Sequence, residues 1–187
     1  MNSFFKFFGI KLPHSARQMN PSQLFRYFLK DYKNFLLSSI AKGGAIWGSS
    51  LSIHIVRPLL HRWRGCKIAS GVAIGEDVIL GLSDPSQIQI EEGVWITARC
   101  ILLEHQRDLS SLDRMSTIHD CDHKFAKILI KKNAHIGVGS IILPGIIIGE
   151  GAIIGAGSLV NKNIPDFVVA AGNPIKIIRE LPVRVKS

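Results

Sequence analysis

Residues 130–164 read IKKNAHIGVGSIILPGIIIGEGAIIGAGSLVNKNI, and a step of six through them lands on an aliphatic side chain every time. The series is Ile130, Ile136, Ile142, Ile148, Ile154 and Val160. Four places after each comes a small or apolar residue: Ala134, Ser140, Ile146, Ala152, Ser158 and Ile164. Glycine follows the aliphatic directly at Gly137, Gly149 and Gly155. A period of six drifts around a helix of 3.6 residues per turn, and it does not match the simple alternation of a strand. It fits a solenoid, in which three hexads form three flat sides of one coil and each aliphatic points inward onto those above and below. The glycines, with Asn133, Asn161 and Asn163, are expected at the corners, where positive φ is cheap.

The same ruler extends upstream. Ile68, Ile74 and Leu80 keep step, with Val72 and Val78 as small partners. After a slip at Asp84 and Pro85 it resumes through Ile90, Ile96 and Leu102, with Val94 and Cys100 between them. A longer interruption, about 103–127, separates Leu102 from Ile130. The expected layout is a mainly helical extension over 1–66, a mainly β solenoid over 67–172 with an inserted loop, and a C-terminal helix and tail over 173–187. For that last helix, IKIIREL, Asn173 is the expected cap and Pro174 the first residue, with Pro182 beyond its end.

Charge divides the chain in the same way. The net charge is +9, yet residues 1–67 hold eleven Lys and Arg against one acid, Asp31, while residues 68–187 sum to −1. In the extension, Asn20 and Pro21 read as a helix start. Phe25, Phe28, Leu29, Tyr32, Phe35, Leu36 and Ile40 then follow helical spacing. A second helical stretch runs through Ile55, Val56, Leu59, Leu60 and Trp63, with Pro58 either kinking it or marking its first turn. Two roles fit: a cap on the open end of the solenoid, or a peripheral surface for anionic lipid, with aromatics in the interface. Nucleic acid is not an expected partner, because the charges carry no recognised reading motif. MNSFFKFFGIKLPHS lacks the apolar run and cleavage site of a signal peptide, and no stretch reads as a membrane span. Three cysteines without CxxC spacing suit reduced thiols and a cytoplasmic setting, with Cys100 a small core residue.

Over roughly residues 66–182, with AHIGVGSIILPGIIIGEGAIIGAGSLVNKNIP and VVAAGNPIKIIREL as its most specific stretches, the chain resembles the hexapeptide-repeat acyltransferases. The resemblance implies a left-handed coil, a hand that periodicity cannot give and that ordinary parallel crossovers do not take. It further implies a homotrimer with sites between adjacent subunits, acetyl-CoA as co-substrate, and transfer to a hydroxyl by direct attack. The implied acceptor is a saccharide, in assembly of a bacterial surface polysaccharide. For the cofactor, it points to Val138 and Ala156 beside the pantetheine arm, and to Asn161, Lys162, Lys176 and Arg179 near the nucleotide and its phosphates. Asn161 stands where the motif commonly has Thr. Basic groups there suit a phosphorylated ligand.

Transfer to an alcohol needs a base for the hydroxyl proton, and histidine is the natural one at neutral pH. The loop CILLEHQRDLSSLDRMSTIHDCDHKF leaves the repeat at Leu102. His105 is the candidate base, with Glu104 or Asp108 to orient it, and His119 or His123 as the alternatives. Many relatives carry H-x-H-D at this exit, and Arg107 falls where the second His would be. That departure leaves open a degenerate, non-catalytic scaffold. The HDCDH run is read as a solvated loop rather than a metal site, and no metal is expected; the three-histidine zinc pattern of the carbonic anhydrase branch is missing from consecutive coils. His135, at a coil corner, reads as structural. Nothing in 103–127 decides between a sugar and another acceptor such as serine, an aminosugar or an antibiotic.

Overall fold

The computed structural model describes residues 20–42, 51–110, 113, 117–118 and 121–182. The ruler becomes a three-sided prism. Its first coil is β1 (Lys67–Ile68), β2 (Ala73–Ile74) and β3 (Ile79–Leu80); its second is β4 (Ile88–Ile90), β5 (Trp95–Ile96) and β6 (Ile101–Leu102). A hairpin, β7 (His105–Arg107) and β8 (His123–Phe125), interrupts it. The third coil is β9 (Ile128–Ile130), β10 (His135–Ile136) and β11 (Ile141–Ile142); the fourth is β12 (Ile147–Ile148), β13 (Ile153–Ile154) and β14 (Leu159–Val160). A partial fifth coil bridges Ile164 to Ile148 and ends in β15 (Val168–Ala171) and β16 (Lys176–Glu180). Side one is β1-β4-β9-β12, side two is β2-β5-β10-β13-β15-β16, and side three is β3-β6-β11-β14. The pairing is parallel except between β15 and β16 in these sides.

Every aliphatic on the ruler is inside, at 8% exposure or less, and side two stacks Ile74, Ile96, Ile136 and Ile154 onto Ala170. Full burial of such a side chain contributes about 1.5–3 kcal/mol. The buried hydroxyls on the four-place positions are satisfied: Ser140 donates to the Gly137 and Gly155 carbonyls, and Ser158 to that of Gly155. The repeat glycines differ from expectation in role. Gly137 has no positive φ; a Cβ there would come within 2.5 Å of the Ala156 nitrogen, so it is needed for the close approach of the next coil. Positive φ belongs instead to residues two places on, such as Gly139 and Gly157, and to Asn133. Asn161 and Asn163 do not adopt it; Asn163 uses its Oδ1 to accept from the Ile147 amide at 2.9 Å.

The C-terminal helix expected over IKIIREL is a strand, β16, which turns back at Gly172–Pro174 and pairs antiparallel with β15. The run of β-branched residues favours extended backbone, and the exposed edge of β15 supplies partners that a short isolated helix would lack.

Helix α1 (Pro21–Lys42) starts where Asn20 caps it: Asn20 Oδ1 accepts from the Gln23 amide at 2.9 Å, and Gln23 Oε1 accepts from the Asn20 amide at 3.0 Å. Helix α2 (Arg57–Arg64) follows a π-helical turn, Ser52–Val56, and Pro58 lies in its first turn, ending at Gly65 in the left-handed region. The arginines of α2 close the prism. In the second coil the carbonyls of Ile90 and Ile96 accept from the Ala69 and Gly75 amides below them. The first coil has no coil below it. There Arg62 Nε donates to the Ile68 carbonyl at 2.9 Å and its Nη2 to Ala69 at 2.6 Å. Arg57 Nη1 donates to the Ile74 carbonyl at 3.4 Å, and Arg64 Nη2 to that of Gly81. Each side of the triangle thus receives one guanidinium, and the extension caps the solenoid through its charge.

His61 is built into this cap. Its buried Nδ1 lies 3.0 Å from Arg64 Nη1, a contact that requires an unprotonated ring nitrogen because a guanidinium only donates. Burial, then the charges of Arg64 and Arg57, push its pKa down from 6.5 to about 3. The unfolded chain therefore binds a proton that the folded chain refuses. This contribution is complete above pH 6.5 and is lost as pH falls toward 3, at about 1.4 kcal/mol per unit. Melting curves between pH 6.5 and 4.5 should fall more steeply for the wild type than for His61→Gln; parallel curves would contradict a neutral buried imidazole.

Candidate active site

Glu104 and His105 leave β6 at the corner between sides three and one. Glu104 is only 1% exposed, and its Oε1 accepts from the Ser83 amide at 2.7 Å and the Asp84 amide at 3.2 Å. The slip in the ruler at Asp84 therefore delivers two backbone donors to a buried carboxylate. Gly81 makes the room: a Cβ there would lie 2.7 Å from Glu104 Oε2. Burial lowers the pKa of Arg64, and the charges of Cys66 and then Glu104 oppose this by favouring the guanidinium.

His105 opens the hairpin, opposite Phe125 in register, with its side chain 26% exposed. Its Nδ1 is buried 3.2 Å from Glu104 Oε1, at hydrogen-bond distance but not aligned as a hydrogen bond. Its ring centroid is 5.3 Å from that of Phe125 and 5.0 Å from that of His123. Of the two carboxylates proposed to orient it, the structure brings Glu104. Asp108 turns away, accepting from the Ser110 amide at 3.0 Å; the Ser110 hydroxyl first, and then this amide, hold its carboxyl below the usual range. Arg107, where the resemblance led to the expectation of a second histidine, pins the hairpin by donating to the Cys121 carbonyl at 2.7 Å. His123 pairs opposite Arg107; partial burial and then the Arg107 and His105 charges lower its pKa. His119 lies outside the described residues. Among the described residues no three His, Cys, Asp or Glu side chains converge as metal ligands would.

His135 is on the outer face of side two, its ring 6.1 Å from that of Trp95, and takes no part in this cluster. Sequence reading passed over Gly81 and Arg64; no motif marks either, since their roles arise only when the coil closes.

The cofactor candidates fall on separate parts of the prism. Val138 and Ala156 are exposed at the corner between sides two and three, one coil apart, tied by the Gly157 amide donating to the Val138 carbonyl at 2.8 Å. Asn161 and Lys162 are exposed at the corner between sides three and one, on the edge from which the His105 hairpin leaves. Lys176 and Arg179 lie on β16. Three residues apart on a regular strand they would face oppositely. The register shift, with Ala170 opposite Ile177 and Val169 opposite Arg179, leaves Ile178 as an extra residue and returns Lys176 and Arg179 to one face. A shallow concavity of about 550 Å³, lined by Lys67, Gln89, Glu91, Glu92 and Lys132 among others, opens at the corner between sides one and two, away from His105. No chemistry gathers there.

Known proteins share this architecture. Residues 127–162 match the family described as bacterial transferase hexapeptide (six repeats). YvoF of Bacillus subtilis (strain 168), provisionally named an acetyltransferase, is 30% identical over 163 residues, covering 86% of this chain and 85% of that protein. The galactoside O-acetyltransferase of Lactococcus lactis subsp. lactis (strain IL1403) is 51% identical over a shorter stretch of 55 residues, 29% of this chain and 27% of that protein. A galactoside acetyltransferase solved in complex with coenzyme A superposes with a TM-score of 0.61 at 22% identity, over 92% of each chain. The fold is thus the left-handed parallel β-helix of those enzymes, and the chain belongs to the hexapeptide-repeat acetyltransferases.

Proposed function

We propose that the protein transfers the acetyl group of acetyl-CoA to a hydroxyl of a sugar, in assembly of a bacterial surface polysaccharide, with His105 as general base. The observation that carries this reading is the half-buried imidazole whose Nδ1 faces the buried Glu104 carboxylate. A carboxylate at Nδ1 favours the tautomer with its proton there, which frees Nε2 to accept a proton from an acceptor hydroxyl. Acetyl-CoA supplies an activated thioester carbonyl. His105 Nε2 takes the hydroxyl proton as the acceptor oxygen bonds to that carbonyl, and returns it to the departing sulfur. Glu104 steadies the imidazolium in between.

The cofactor candidates support a shared site. Val138 and Ala156 occupy one edge of the prism, and Asn161, Lys162 and the His105 hairpin another. A neighbouring copy in a trimer can bring the two edges together, so the site is read as lying between subunits. Lys176 and Arg179, gathered on one face, are read as the partners of the phosphates. The sugar acceptor is supported by the galactoside O-acetyltransferase likeness. The cytoplasm, where acetyl-CoA is made, is the proposed compartment.

The test is release of free thiol when protein, acetyl-CoA and candidate glycans are combined. Turnover should require a glycan hydroxyl; acetyl-CoA consumed at the same rate without any acceptor, or not at all across sugars, serine and aminosugars, would remove the assignment. Lys176→Ala with Arg179→Ala should raise the KM for acetyl-CoA about tenfold or more, with kcat little changed, since each charge-assisted hydrogen bond contributes about 1.5–3 kcal/mol.

A further inference from the structure

Helix α1 packs with the wrong face inward for a helix that serves only its own fold. Its buried face carries Asn34 and Ser38, at 2 and 3% exposure, with Ala41 and Leu24. The Asn34 Nδ2 and Ser38 Oγ atoms find no hydrogen-bond partner there. Its outward face carries Phe25, Leu29, Tyr32, Phe35, Leu36 and Ile40, at 40 to 65% exposure. At 100° per residue these six form one continuous stripe. Arg26, Lys30 and Lys33, all exposed, run along one margin of it. A soluble surface does not leave such a stripe bare without a partner for it.

Charge decides what the partner is. Two copies of α1 meeting stripe to stripe would set basic margin against basic margin, since residues 1–67 hold eleven Lys and Arg and a single acid, Asp31. The nineteen residues before Asn20 add four Phe, two Lys and an Arg with no acid, so the same chemistry continues along the sequence. Apolar rings bordered by cations fit acyl chains beneath anionic headgroups. Among the described residues no helix is long and apolar enough to cross a bilayer, which leaves a helix lying on it.

We infer that α1 is a membrane-surface helix, which lies flat on an anionic phospholipid bilayer with the Phe25–Ile40 stripe among the acyl chains and Arg26, Lys30 and Lys33 at the headgroups. The inference is independent of the acetyl-transfer reading, because none of these residues belongs to the candidate active site. The test is flotation of the full-length protein with vesicles of mixed phosphatidylglycerol and phosphatidylcholine, against phosphatidylcholine alone. At least tenfold more protein should float with the anionic vesicles, and added salt should weaken the binding. Phe25→Ser with Phe35→Ser should reduce binding at least tenfold while sedimentation velocity and thiol release stay at wild-type values. Should that pair alter assembly, Lys30→Gln with Lys33→Gln, which removes no apolar surface, decides: binding must fall and depend less on salt. Failure to bind anionic vesicles overturns the inference, as does full binding by the variants. An assembly change in both pairs with vesicle binding intact assigns the stripe to a second copy and also overturns it.

Discussion

His105→Ala should lower kcat for acetyl transfer about 100- to 10,000-fold, the range over which a positioned general base contributes. The KM for acetyl-CoA should change little if, as proposed, the side chain serves the acceptor hydroxyl rather than the nucleotide. The alanine also leaves Glu104 with its Ser83 and Asp84 donors, so the buried carboxylate keeps partners and the coil should hold. Thermal midpoint and sedimentation measured on the same preparation separate lost chemistry from lost structure. Turnover within a few-fold of wild type would move the base elsewhere; His123, whose ring stands 5.0 Å from that of His105, is the next group to replace.

Ile136→Ala should destabilise the fold by about 2–5 kcal/mol, while Ile178→Ala should change it by less than about 0.5 kcal/mol. The two residues are chemically identical and both on side two. Ile136 is fully buried between Ile96 and Ile154, with its backbone held by ladders on both sides, so a cavity there cannot collapse. Ile178 is the extra residue of the β16 bulge, and its side chain is mostly in solvent. Urea denaturation of both variants gives the comparison directly. Equal losses would mean that the inward stack is not what holds the prism together.

What could be read from the sequence was whatever depends on period alone. A spacing of six determines which side chains stack, and every ruler position from Ile68 to Val160 is inside. What could not be read depends on which coil lies against which. Gly137 carries its glycine for the Ala156 backbone one coil on, and Gly81 for a carboxylate at Glu104. These partners are nineteen and twenty-three positions away, a distance set by the coil and its slip. At the C-terminus, Asn173 and Pro174 satisfy the pattern of a helix start equally well as that of a tight reversal; the free edge of β15 chose the second. For α1 the spacing gave the stripe correctly, but spacing cannot say which face is inward. In the candidate site His105 and Glu104 were legible because they adjoin the point where the repeat breaks, while Arg64, forty residues earlier, was not.

Against the opening coil, the hydrogen bonds of the guanidinium cap go to backbone carbonyls, at Ile68, Ala69, Ile74 and Gly81, while the ion pair of Arg57 with Glu76 is longer, at 3.8 Å. Such a lid is blind to the amino acids it covers. Outward positions of the opening turn are therefore free to drift in evolution without loosening it, and the 51–66 segment is transplantable in principle onto other triangular prisms whose opening carbonyls lie in the same places. The three forks also occupy the hydrogen-bonding rim that a second prism would use, which blocks end-to-end stacking into fibres at that pole.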